Sequence, residues 1–151
     1  MPSSFRGGVV ENIYEHSEFR YAYVLAQKYP SMGFIELGFL DDGITIPGSF
    51  NKHGRHYDEK DHYKAIDAAI RGKSTKAGRE RGFGLSSNVE MFRDGQILIV
   101  SGYGAIYVDG QRITPYRLTP NNKMDGTLIS LRVKDVSRIV NIYEYLERAT
   151  K

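Results

Sequence analysis

Apolar and polar positions alternate with a period of two in several runs of this chain, and with a helical period in others. The runs RYAYVLAQKY (20–29) and FIELGFLDDG (34–43) read as strands. Pro30-Ser31-Met32-Gly33 between them suits a turn, so the pair predicts a hairpin. QILIVSG, AIYVDGQRI and GTLISLRV predict three more strands, broken by Gly102-Tyr103-Gly104 and by a loop from Pro115 to Gly126, with Asp109-Gly110 as a strong turn signal. Helical spacing places Phe5, Val9 and Ile13 on one face of the opening segment. It does the same for Tyr63, Ile66 and Ile70 in HYKAIDAAIRG, which Gly72 ends, and for Leu85, Val89 and Phe92. GSFNKHGRHYDEKD (48–61) is polar and without period, and predicts a mobile loop. The tail from Asp135 fits a helix through Val136, Ile139, Val140, Tyr143 and Leu146, yet IVNIYEYL is equally rich in strand formers. The order of elements predicts an α+β two-layer sandwich, a mixed, mostly antiparallel sheet with helices on one face.

Composition narrows the function classes. The 151 residues, 40% hydrophobic and 26% charged, suit one globular domain. With no cysteine, disulfide scaffolds, cysteine-ligated zinc and thiol chemistry are excluded, and a reducing, cytoplasmic setting is expected. The formal charge of +3 comes from 21 basic and 18 acidic residues spread along the chain, too mixed a distribution to argue for nucleic acid. No apolar run reaches the ~18 residues of a membrane span.

Parity within the strands singles out polar residues on inward faces. Ile35, Leu37 and Phe39 share a side, and the next member of that series is Asp41, not Asp42. A carboxylate there needs a donor, since burying it unpaired is costly. Thr127 likewise joins the face of Ile129, Leu131 and Val133. Gly82 and Gly84 precede a helix beginning near Leu85, where bare backbone and unpaired N–H groups suit an anion, with Lys73, Lys76, Arg79 and Arg81 alongside. Asn12 and His16 lie four apart on one helix face, where an amide oxygen suits hydrated Mg²⁺. His53, His56, Asp58, Asp61 and His62 offer metal-ligand chemistry, but their spacing matches no closed site, and a polar loop is the preferred reading.

Taken in order, VVENIYEHS, LDDGITIP, STKAGRERGFGL and GTLISL resemble the ATP-binding domain shared by DNA gyrase, heat-shock chaperones, histidine kinases and MutL, the GHKL or Bergerat-type fold. The resemblance runs from about Gly8 to Val133, and its wording is nearest to the histidine-kinase and anti-sigma-factor branch. It implies that Asn12 ligates Mg²⁺, that His16 lies beside the phosphates, and that Asp41 accepts from the adenine amino group. Gly43 and Ile46 would lie beside the base. Lys76, Arg81, Gly82, Gly84 and Leu85 would line the phosphate side, and Thr127 would support Asp41 and a bound water. Residues 48–78 would form the ATP lid, and 134–151 a C-terminal extension of the single domain.

Three departures qualify what is implied. Gly8 stands where hydrolysing members carry a general-base glutamate, and neither Glu11 nor Glu15 replaces it, so a nucleotide-dependent module or protein-kinase-like regulator with a protein partner is expected ahead of an ATPase. Thr45 stands where the first glycine box usually has a second glycine, which implies a stiffer lid hinge. The chain starts only a few residues before Asn12, with no room for a phospho-acceptor hairpin; His16 is not that acceptor, and the ATP-binding part of a longer protein is expected. The alternative is an interaction domain that keeps the fold without nucleotide.

Overall fold

The computed structural model describes residues 18–71 and 94–135. The predicted hairpin is present: β1 (Ala22–Tyr29) pairs antiparallel with β2 (Phe34–Asp41), and both Met32 and Gly33 donate N–H groups to the Tyr29 carbonyl across the turn. The start of β1 is fixed by Asp42, whose Oδ1 accepts from the N–H groups of Arg20 and Tyr21, each at 2.8 Å. After β2 come helix α1 (Ile46–Lys52), a 3₁₀ turn (Glu59–Asp61) and helix α2 (His62–Ile70). Then follow β3 (Gln96–Gly102), β4 (Gly104–Asp109), β5 (Arg112–Arg117), a second 3₁₀ turn (Pro120–Asn122) and β6 (Met124–Lys134). The strands form one open sheet in the order β1-β2-β6-β3-β4-β5.

The sheet differs from the expected mixed one, because every pairing among the described residues is antiparallel. All of its sequential neighbours are hairpins, and β6 enters between β2 and β3 running opposite to both. Two loop expectations are also corrected. The first turn of the expected 48–61 loop belongs to α1, because Thr45 caps that helix, its Oγ1 accepting from Gly48 N–H at 3.0 Å, while Pro47 occupies the first turn. The expected loop from Pro115 to Gly126 begins inside β5 and ends inside β6. Proline is tolerated in β5 because that strand lies at the sheet edge, where a missing N–H breaks no ladder.

One face of the sheet forms the core. Register sets Phe39, Ile129, Ile99 and Ile106 in one row across β2, β6, β3 and β4, and Leu37, Leu131, Ile97 and Val108 in the next. Ile66 and Ile70 of α2 close over these rows, and Ile66, Ile99 and Ile106 are fully buried. Each such side chain contributes roughly 1.5–3 kcal/mol through removal from water. A second cluster joins Phe50 of α1 to Ala65 and Ala68 of α2, and thereby ties α1 to the sheet through α2.

The N-terminus of α2 sits very close to β4. A Cβ at Gly104 would lie 2.7 Å from the His62 carbonyl carbon and 2.9 Å from Tyr63 Cα, and backbone cannot swing aside. Gly104→Ala is therefore expected to cost about 1–3 kcal/mol in chemical denaturation. Gly110, with φ of +60° and open space around it, should accept asparagine at under about 1 kcal/mol.

Candidate functional site

The inward rows of the sheet end in polar residues. Asp41 on β2 stands opposite Thr127 on β6, and Thr127 stands opposite Ser101 on β3. The parity argument for Asp41 over Asp42 agrees with this placement: Asp41 is 2% exposed, while Asp42 is on the surface. Thr127 and Ser101 are buried as well.

The chain around this row is tightly tied. Beyond β2 it turns so that Gly43 N–H donates to Asp41 Oδ1 at 2.9 Å, and Ile46 N–H at the start of α1 donates to Ser101 Oγ at 2.8 Å. Ser101 Oγ also lies 3.1 Å from the Gly126 carbonyl oxygen and 2.9 Å from Thr127 Oγ1. Gly126 has a φ of +112°, and a Cβ there would press into the backbone of Asp41 and Asp42. Only glycine lets β6 approach the end of β2 so closely. Asp41, Gly43, Ile46 and Thr127 are thus brought together, with Ser101 among them. Asn12, His16, Lys76, Arg81, Gly82, Gly84 and Leu85 lie outside the described residues, as do the tail beyond Asp135 and the lid from residue 72 onward.

A cleft of about 550 Å³ opens beside this row, lined among others by Gly43, Thr45, Asn51, His62, Tyr103 and Gly126. A register shift follows Ser101, where Gly102 takes a φ of +60°, and it presents Tyr103 to the cleft. Tyr103 N–H donates to His62 Nδ1 at 3.0 Å, and its ring lies 5.6 Å from the His62 ring and 5.5 Å from Lys123 Nζ. Of the five residues weighed as metal ligands, His56 Nε2 sits 3.1 Å from Asp58 Oδ1 and His62 turns to Tyr103. Among the described residues no group of three or more histidines and carboxylates is placed to hold a metal ion.

Ser101, Tyr103 and Asn51 were not singled out from the sequence, and His62 was weighed there only as a metal ligand. Ser101 had a readable signal, since it continues the inward series Ile97, Ile99 just as Asp41 continues Leu37, Phe39. The other three depend on the α2 docking and the bulge, which no local pattern announces.

No family model, curated protein or solved structure matches the chain. Function must therefore be argued from the geometry. Among the described residues no helix is long and apolar enough to cross a membrane.

Two titrating groups are shifted in this region, Asp41 in the polar row and His62 in the cleft wall. Burial pushes the Asp41 carboxyl above the usual 3.8; the Gly43 N–H opposes that rise and the neighbouring Asp42 charge adds to it. A raised carboxyl binds more protons folded than unfolded, so its contribution favours folding below pH 3.8 and is lost as pH rises through the folded value. Asp41→Asn, which removes the charge and keeps the shape, should raise stability at pH 7 by about 0.5–2 kcal/mol. That gain should shrink as pH falls toward 3.8, followed by thermal melts across pH.

His62 shifts the opposite way. Burial lowers its pKa below 6.5, Glu59 opposes the shift, and Lys123 and His56 add to it. Neutral His62 is needed because Nδ1 accepts from Tyr103. Its contribution is complete above pH 6.5 and is lost as pH falls through that value toward the folded pKa. Melting temperature should therefore drop between about pH 7.5 and 5, and His62→Asn, which keeps an acceptor but cannot titrate, should flatten that slope.

Proposed function

We propose that this chain is an ATP-binding domain of the GHKL type, with the adenine base against Asp41 and Thr127. The observation that carries the reading is the Asp41 carboxylate. It is buried at the end of the core rows, and among the described residues its only hydrogen-bond donor is the Gly43 N–H. A buried carboxylate with lone pairs to spare is matched by a ligand that brings N–H groups, and an exocyclic amino group does so. Bare backbone at Gly43 and Gly126 lets a flat ring approach the cleft wall. The antiparallel sheet with helices over one face is compatible with a Bergerat arrangement, in which Asn12 would carry Mg²⁺ and the 76–85 segment the phosphates.

In this reading the domain works in the cytoplasm as a nucleotide-dependent module, its lid state read by a protein partner. Phosphoryl transfer to that partner would require positioning and electrostatic stabilisation more than a dedicated base. Gly8 makes hydrolysis by the chain alone the lesser activity.

Calorimetric titration with Mg-ATP tests the proposal. Binding is expected in the wild-type chain, with a loss of about 10–100-fold in Asp41→Asn. The Gly43 N–H would hold the amide oxygen of the asparagine, which leaves its NH₂ facing the donor group of the base. If Mg-ATP does not bind, or if the variant binds it equally well, the nucleotide reading fails and the interaction-domain alternative stands. Phosphate release by the isolated chain would contradict the role given to Gly8.

A further inference from the structure

Ser101 lies between three polar groups, and the count of protons among them is restrictive. Its hydroxyl has one hydrogen to give and two lone pairs to accept with. Ile46 N–H can only donate, so it takes one lone pair at 2.8 Å. The Gly126 carbonyl can only accept, and at 3.1 Å it takes the Ser101 hydrogen. The remaining contact, to Thr127 Oγ1 at 2.9 Å, is then satisfied only if Thr127 donates to Ser101. This assignment is the one that fills every contact. The Thr127 proton therefore points toward β3, away from Asp41 on the opposite strand, and no hydrogen bond joins Thr127 to Asp41.

We infer that Ser101 is a positioning residue that holds Thr127 as an acceptor, so that Asp41 and Thr127 form an acceptor-only pair selecting the 6-amino group of a purine over a 6-carbonyl. The inference rests on the nucleotide reading and adds to it the device that sets base selectivity. Two acceptors side by side repel a carbonyl oxygen and attract a group that carries two N–H donors. A Thr127 hydroxyl free to turn would adapt to either group, as hydroxyls do when their proton is uncommitted. Ser101 removes that freedom, and it does so from β3 without touching the base.

The test compares ATP with inosine triphosphate, which differs in carrying a carbonyl at position 6, using calorimetric dissociation constants with Mg²⁺ present. The wild-type chain should prefer ATP by roughly 10²-fold or more. In Ser101→Ala the Thr127 proton is released, and the preference should fall to about tenfold or less, through tighter relative binding of inosine triphosphate. A purely structural role would weaken both nucleotides by the same factor and leave their ratio unchanged, which would overturn the inference. Thr127→Val supplies a second test should Ser101→Ala fail to fold: the ratio should fall there too, and an unchanged ratio would refute the acceptor role. In the Thr127→Val background, Ser101→Ala should not lower the ratio further; if it does, Ser101 does not act through Thr127. The outcomes separate the two readings. A wild-type chain that binds ATP and inosine triphosphate equally sinks the selectivity inference alone, whereas one that binds neither sinks the nucleotide reading with it.

Discussion

A carboxylate buried at the end of a hydrophobic core is the constraint around which this chain is arranged. Asp41 continues the same inward series that packs Leu37 and Phe39 against the core, so the strand geometry that builds the core also carries the charge inside. The protein answers it only in part. One N–H, from Gly43, reaches the carboxylate, and the neighbouring hydroxyls are engaged with each other and with backbone. A core selected for stability alone would place an apolar residue there or complete the hydrogen bonds, because desolvating a charge costs more than a neutral side chain returns. With one donor at 2.9 Å, the carboxylate keeps acceptor capacity that the described residues do not use.

The same row couples the end of the sheet to the helices. Ser101 holds the first N–H of α1, Thr45 caps that helix, and Phe50 on its inner side packs on α2. At its own N-terminus α2 carries His62, which receives the Tyr103 N–H from the bulge that follows Ser101. A path of direct contacts thus runs from Ser101 through α1 and α2 and returns to β3 beyond the bulge. Every step of it is a hydrogen bond or a buried packing contact, and it borders the cleft at Thr45, His62 and Tyr103.

Much of this arrangement was legible in the chain, for a definite reason. Alternation with period two fixes which side chains share a face, so the hairpin and the inward placement of Asp41 and Thr127 followed from residue order, whereas the register that lines up the core rows did not. Helical spacing gave α2, with Ile66 and Ile70 on its buried side. Residue order misleads where a polar run lacks period. Thr45 and Pro47 are a cap and a first-turn proline, and they outweigh the lack of period in a helix of only seven residues. Pro115 was read as a breaker, but at a sheet edge it breaks nothing. His62 and Tyr103 meet only because α2 docks against the bulge, and such a contact over 41 residues has no local signature.

Proton counting adds something that neither pattern nor proximity supplies. Three distances around one serine, each ordinary alone, become informative together because a hydroxyl has a single hydrogen and the backbone groups on either side have fixed roles. Ile46 can only give and the Gly126 carbonyl can only receive, so the remaining freedom of the network collapses onto Thr127. The direction of that proton then decides whether the end of the core carries acceptors alone or a mixed pair. That direction is set by the backbone through two hydroxyls, and it persists only while β3, β6 and the start of α1 keep their mutual register.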